Sequence, residues 1–228
     1  MFEHRSAAMV QAGRTAAEAG TPDAGGVPDF SAELYRDVVD FASSTPGWVQ
    51  SFAAFFTEAA LVLLFGFLLL ACWRARRMPA RSLAIALLSV LGVGVAYSLS
   101  ELIKLLIEQD RPCRAMRVTT IAECPPLGDW SFPSNHSVIA GATAFGVFAA
   151  WRKLGVTALI LGAATAFSRV FLGVHYPHDV LVGFLFGVVM TALLVRLLSQ
   201  TATQLVLKLP SHRPHDIDEQ PTVQLPRI

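Results

Sequence analysis

Three groups of polar residues interrupt an otherwise apolar chain, and each is of a type that handles anions or protons. In the first, Lys104 and Arg111 stand two helical turns apart and would share one face if the helix continued. Pro112 disfavours helix at the residue before it, so the chain is expected to leave the membrane there. A Lys inside an apolar helix is costly unless something anionic meets it. Glu101 and Glu108, three and four residues away, are its ordinary partners.

The second group, Phe132-Pro133-Ser134-Asn135-His136, opens an apolar run. Amides in the first turn of a helix have no intrahelical partner, and with the dipole they favour an anion. Ser134 adds a hydroxyl donor and His136 a proton source, although an ordinary helix cap would use the same residues. The third group is Ser168-Arg169, then His175 and Asp179. Pro177 suits the first turn of a last helix, leaving His175 just before it and Asp179 inside it. Asp179 could then accept the Nδ1 hydrogen of His175 and leave Nε2 free as a nucleophile. The bland alternative is an Arg169–Asp179 salt bridge. Together, three cations, two histidines, an aspartate and a helix N-terminus match the needs of a tetrahedral phosphate. His175, His178 and Asp179 also have the look of metal ligands, but three nearby cations argue against a divalent ion, so neither metal nor cofactor is expected. His178 is read as a neighbour without a catalytic role, and His4, His212 and His215 carry no signal.

Five apolar runs must position these groups: about 52–73, 82–107, 135–151, 155–172 and 180–199. Each is near the length needed to cross about 30 Å of hydrocarbon. Of 228 residues, 54% are hydrophobic and only 15% charged, which sets aside an ordinary soluble domain or a nucleic-acid binder. The expected fold is all-α, a polytopic transmembrane helix bundle with an extra N-terminal amphipathic helix. Ser31 would cap that helix, and Leu34, Val38, Phe41 and Ala42 recur at helical spacing. It could lie on the membrane surface or pack on the bundle. The chain divides as 1–50, an outer segment with this helix and no apolar signal region before it; 51–199, the membrane core; and 200–228, a flexible inner tail. The residues before Phe30 read as disordered.

Arg74, Arg76, Arg77 and Arg81 lie between the first two runs, and Arg152 and Lys153 between the third and fourth. The positive-inside rule puts both loops in the cytoplasm. The N-terminus and all three polar groups then face outward, with the C-terminus inside. Cys113 and Cys124 fall in the outward loop, where the compartment favours a disulfide if their Cα separation permits. Cys72 reads as a free thiol. Glu58 and Glu101, acids within apolar runs, are the feature a lipid transporter or flippase would use as a proton relay; otherwise they pair with the cation cluster.

These residues resemble the type 2 phosphatidic acid phosphatase superfamily. Its three motifs read here as Lys104-(six residues)-Arg111-Pro112, Pro133-Ser134-Asn135-His136 and Ser168-Arg169-(five residues)-His175-(three residues)-Asp179. One departure is Asn135, where the family usually has Gly. The resemblance implies a multi-pass plasma-membrane enzyme acting on a lipid phosphate, with membrane lipids and substrate as its partners. His175 would form a phosphohistidine, Asp179 orient it, and His136 serve as acid and then base. Lys104, Arg111, Ser134, Asn135 and Arg169 would hold the phosphate. Undecaprenyl or decaprenyl diphosphate is the favoured substrate, with phosphatidate and phosphatidylglycerophosphate as alternatives.

Overall fold

The structure is a computed structural model that describes residues 27–209. Expectations for the stretch before Phe30 up to residue 26, and for the tail from 210, lie outside the described residues. The described residues form helices and loops without strands. In chain order the helices are α1 (Asp29–Ser44), α2 (Gly47–Ala75), α3 (Ala80–Ile107), the single turn α4 (Pro112–Ala115), α5 (Asn135–Ala150), α6 (Arg152–Phe171) and α7 (Pro177–Leu207). Prolines set most starts: Pro28, Pro46 and Pro79 precede α1, α2 and α3, while Pro112 and Pro177 occupy the first turns of α4 and α7.

Among the described residues four helices, α2, α3, α6 and α7, are long and apolar enough to cross a membrane. The third expected span, α5, is shorter than full length. Its 16 residues reach about 24 Å at 1.5 Å per residue. It stands at the centre of the bundle, packed against α2, α3, α6 and α7, so its neighbours supply the surface that lipid meets. Small residues allow this closeness. A Cβ added at Gly141 would collide with the carbonyl oxygen of Phe184 on α7, and one at Gly187 with that of Val138 on α5.

The last helix also departs from expectation. It does not stop near Ser199 but continues through Thr201–Leu207, residues assigned above to the tail. Nothing in that stretch breaks a helix, and Val206 is buried against Ala75, Leu83 and Ala84 near the α2–α3 turn. Packing extends the helix.

Helix α1 differs from its sequence reading in two ways. Ser31 is not its cap; Pro28 is, and Ser31 lies inside the helix with its hydroxyl against His178. The face that packs on the bundle is Ala32, Tyr35, Val39 and Ala42, while Phe30, Leu34 and Phe41 remain exposed. Leu34 lines a groove shared with α6 and α7, and the Phe41 ring meets the edge of Phe171 on α6, so the exposed stripe lies along the seam with the bundle; Trp48, Phe52 and Phe55 on α2 are exposed as well. Tyr35, fully buried, donates a hydrogen bond of 2.8 Å to the carbonyl of Gly173, two residues before His175. Tyr35→Phe leaves that carbonyl unsatisfied, and should cost about 1–3 kcal/mol. A lowered thermal midpoint in detergent checks this, and an unchanged midpoint contradicts it.

Candidate active site

The polar residues gather at one end of the bundle, from the C-terminal ends of α3 and α6, the N-terminal ends of α5 and α7, and the loop joining α4 to α5. Lys104 and Arg111 meet there, although not by sharing a helical face. Helix α3 ends at Ile107, Glu108 takes a left-handed conformation (φ 49°), and the chain turns. The two cations converge instead on Asp129, whose Oδ1 lies 3.2 Å from Lys104 Nζ and 2.8 Å from Arg111 Nη2. Glu101 is the farther partner of Lys104, at 3.9 Å. Burial pushes the Asp129 carboxyl up, but the Arg111 hydrogen bond and the charges of Arg111 and Lys104 outweigh it, so the group sits below the usual carboxylate range.

The Arg111 guanidinium ties this corner to His175. Its Nε donates to the Asp129 carbonyl at 2.8 Å, and its Nη1 to the Val174 carbonyl at 3.1 Å and to His175 Nε2 at 3.0 Å. A guanidinium only donates, so His175 Nε2 is the accepting nitrogen and the ring hydrogen lies on Nδ1. That side faces Asp179 Oδ2 at 3.5 Å and Ser131 Oγ at 3.4 Å. Burial pushes the imidazole down to about 4, against the pull of Asp179 and with help from the charges of Arg111 and Arg169. At neutral pH the ring is uncharged, with a lone pair on Nε2.

Asp179 is held from every side. Ser131 Oγ and the Tyr176 amide (2.9 Å) donate to Oδ2, while Gln109 Nε2 and His178 Nε2 (each 3.1 Å) approach Oδ1. The Arg169–Asp179 salt bridge is not formed. His178 does more than neighbour the site, since its second nitrogen takes the Ser31 hydroxyl at 2.7 Å and so links Asp179 to α1. His175 and His178 meet opposite oxygens of the one Asp179 carboxylate, and among the described residues no group of three or more histidine, cysteine and carboxylate side chains gathers as a metal site.

On the facing helices, His136 Nε2 meets Glu58 Oε1 at 2.9 Å, and Arg169 Nη1 lies 3.8 Å from the same carboxylate. Arg169 Nε is buried without a hydrogen-bond partner among the described residues. Ser134 precedes α5 but makes no capping bond; its hydroxyl accepts from Ser137, and its amide donates to the Asp179 carbonyl at 3.2 Å. The Asn135 carboxamide donates to Glu101 Oε1, the oxygen that faces Lys104, and accepts from Ser100 at 3.0 Å. Glu58 and Glu101 are thus both engaged with the cluster rather than arranged as a relay. Cys113 and Cys124 are joined by a disulfide, and Cys72 is free.

Sequence reasoning missed Asp129, Ser131, Gln109 and Tyr35. Only Asp129 and Ser131 carried a signal, their closeness to Ser134, and it was too general to assign contacts.

Residues 82–202 match the model of the PAP2 superfamily. Undecaprenyl-diphosphatase BcrC of Bacillus subtilis is 34% identical over 60% of this chain and 73% of its own length. Decaprenylphosphoryl-5-phosphoribose phosphatase of Mycobacterium tuberculosis is 35% identical over 56% of this chain and 69% of its own. The crystal structure of a transmembrane PAP2-type phosphatidylglycerolphosphate phosphatase from Bacillus subtilis superposes with TM-score 0.55 at 22% identity, covering 85% of this chain and 94% of that one. At that identity the likeness concerns the fold. With all three polar motifs inside or beside the matched stretch, the chain belongs to the PAP2 superfamily and is a multi-pass membrane phosphatase of that family.

Proposed function

We propose that the chain removes a phosphate from a polyprenyl diphosphate through a phosphohistidine at His175. One observation carries this reading: a neutral, tautomer-fixed imidazole faces the Arg111 guanidinium, beside a second guanidinium (Arg169) with a buried, unpartnered Nε. Lys104, Arg111 and Arg169 neutralise the phosphate oxygens, with Ser134 and the first amides of α5. Asn135 contributes its backbone, while its side chain steadies Glu101 beside Lys104. His175 Nε2 attacks phosphorus; the phosphorus–oxygen bond to the leaving group breaks, and His136, its charge held by Glu58, gives that oxygen a proton. Asp179 stabilises the charge gained by the His175 ring. Water then attacks phosphorus, His136 takes its proton, and the phosphorus–nitrogen bond breaks. No step requires a metal ion.

The substrate class rests on the names of the relatives. The arginine-rich end, with Arg74 stacked on Trp151 at 4.8 Å, lies opposite the site, which favours an outward-facing pocket by the positive-inside rule. On this reading residues 1–50 lie outside, the membrane core runs to the end of α7, and the tail is cytoplasmic. The M. tuberculosis relative favours a second reading, a phosphomonoester on a prenyl-linked sugar.

Phosphate release by the purified protein in EDTA, from a panel of undecaprenyl diphosphate, a prenyl-linked sugar phosphate, phosphatidate and phosphatidylglycerophosphate, tests the proposal. The diphosphate is expected to turn over fastest. Loss of all activity in EDTA contradicts the metal-free mechanism.

The pH dependence has a definite sign. Because the folded His175 lies below its ordinary value of 6.5, at about 4, its neutral reactive form persists as the medium is acidified and is lost only near the lower figure. The His175 ring, followed by its NMR signals in the substrate-free protein, is expected to take up a proton only near pH 4. A ring that titrates at pH 6 or above contradicts the buried, neutral nucleophile.

A further inference from the structure

Among the described residues, Asp129 is the one carboxylate that touches both Lys104 and Arg111. Its Oδ1 bridges them at 3.2 and 2.8 Å, and its carbonyl takes Arg111 Nε at 2.8 Å. The two cations are nearly enclosed, with 7% and 4% of their side chains exposed, whereas the Asp129 side chain is 43% exposed. The carboxylate can therefore turn into water; the cations cannot. Its loop is anchored by the Cys113–Cys124 disulfide and by Arg114, which donates to the Pro125 carbonyl at 2.6 Å and the Pro126 carbonyl at 3.3 Å. A rotation of one side chain frees Lys104 Nζ and Arg111 Nη2 from Oδ1, while the Asp129 carbonyl keeps Arg111 Nε in place, without movement of a helix.

A phosphate oxygen that bridges Lys104 and Arg111 where Asp129 Oδ1 now does must take its place. Replacing one singly charged acceptor by another gains little Coulomb energy at equal distance, whereas a doubly charged one gains about twice as much attraction. A terminal phosphate carries close to two charges at neutral pH and a phosphodiester one. We infer that Asp129 is a specificity-determining residue, a built-in rival anion that admits terminal phosphates and refuses the phosphodiester headgroups of the surrounding bilayer. This rests on the site being a phosphate cage, as proposed above.

Competitive inhibition of the full-length enzyme in detergent at pH 8, with methyl phosphate and dimethyl phosphate as probes, tests it. In the wild type the monoester is expected to bind at least about 30-fold more tightly than the diester; equal inhibition constants overturn the inference without any variant. In Asp129→Asn, which keeps the shape and removes the charge, dimethyl phosphate is expected to bind about 10-fold more tightly, while Asp129→Glu keeps the discrimination. Unchanged or weaker diester inhibition in a folded Asp129→Asn protein, judged by its thermal midpoint, overturns it as well. An enzyme that releases phosphate yet does not discriminate loses only this inference; a folded wild type that hydrolyses no phosphate loses the functional reading beneath it.

Discussion

His175→Asn is expected to lower kcat by on the order of 10⁴-fold or more, the scale on which removing a nucleophile acts. The asparagine can keep a hydrogen bond toward Asp179 or Ser131 but offers no nitrogen lone pair to phosphorus. The fold should survive, because Asp179 keeps Ser131, the Tyr176 amide, Gln109 and His178. Rapid quench with a labelled lipid phosphate should trap acid-labile phosphate on the wild type and none on the variant. A variant that retained more than about one hundredth of wild-type turnover would remove His175 from the chemistry. A transporter would keep its function.

Arg111→Lys is expected to lower kcat/KM by about 10²–10³-fold, despite conserving charge. The guanidinium makes four kinds of contact at once, to the Asp129 carbonyl, the Asp129 carboxylate, the Val174 carbonyl and His175 Nε2. An ammonium is a compact point charge and cannot reproduce that planar fork. It would leave His175 Nε2 without the donor that marks its accepting side. Steady-state kinetics beside a thermal melt separates this from misfolding. A change below about fivefold would show that charge alone is what Arg111 supplies.

Much of the architecture was legible because hydrocarbon allows few solutions. A chain with runs such as that around Leu61–Cys72 must make helices there, and their existence followed from composition. Their ends did not follow. Val206 belongs to a helix only because Ala75 and Leu83 offer it a place to pack, which no local pattern announces. Helix α1 shows the same limit: Leu34 and Phe41 fall on one apolar stripe and Ala32, Tyr35 and Val39 on another, and periodicity cannot say which stripe meets protein. The site divides similarly. His175, Asp179, His136 and the three cations were visible from residue type and spacing. Asp129, Ser131 and Gln109 are common loop residues, and their contacts depend on the path the chain takes after Ile107. The place of His178 was hidden because, beside its direct contact with Asp179, it is held by Ser31, 147 positions away.

The tight seating of α5 has a consequence for how a lipid gets in. With Gly141 and Gly187 bringing α5 and α7 backbone to backbone, neither helix can slide or tilt without steric collision, so the walls of the pocket act as a fixed frame. The segment 117–134 brings Asp129 and Ser131 to the site, and α1 brings Ser31 and Tyr35, so admission of a lipid is expected to move these two. Amide hydrogen exchange recorded with and without vanadate should change in those two stretches and stay flat along the interior helices.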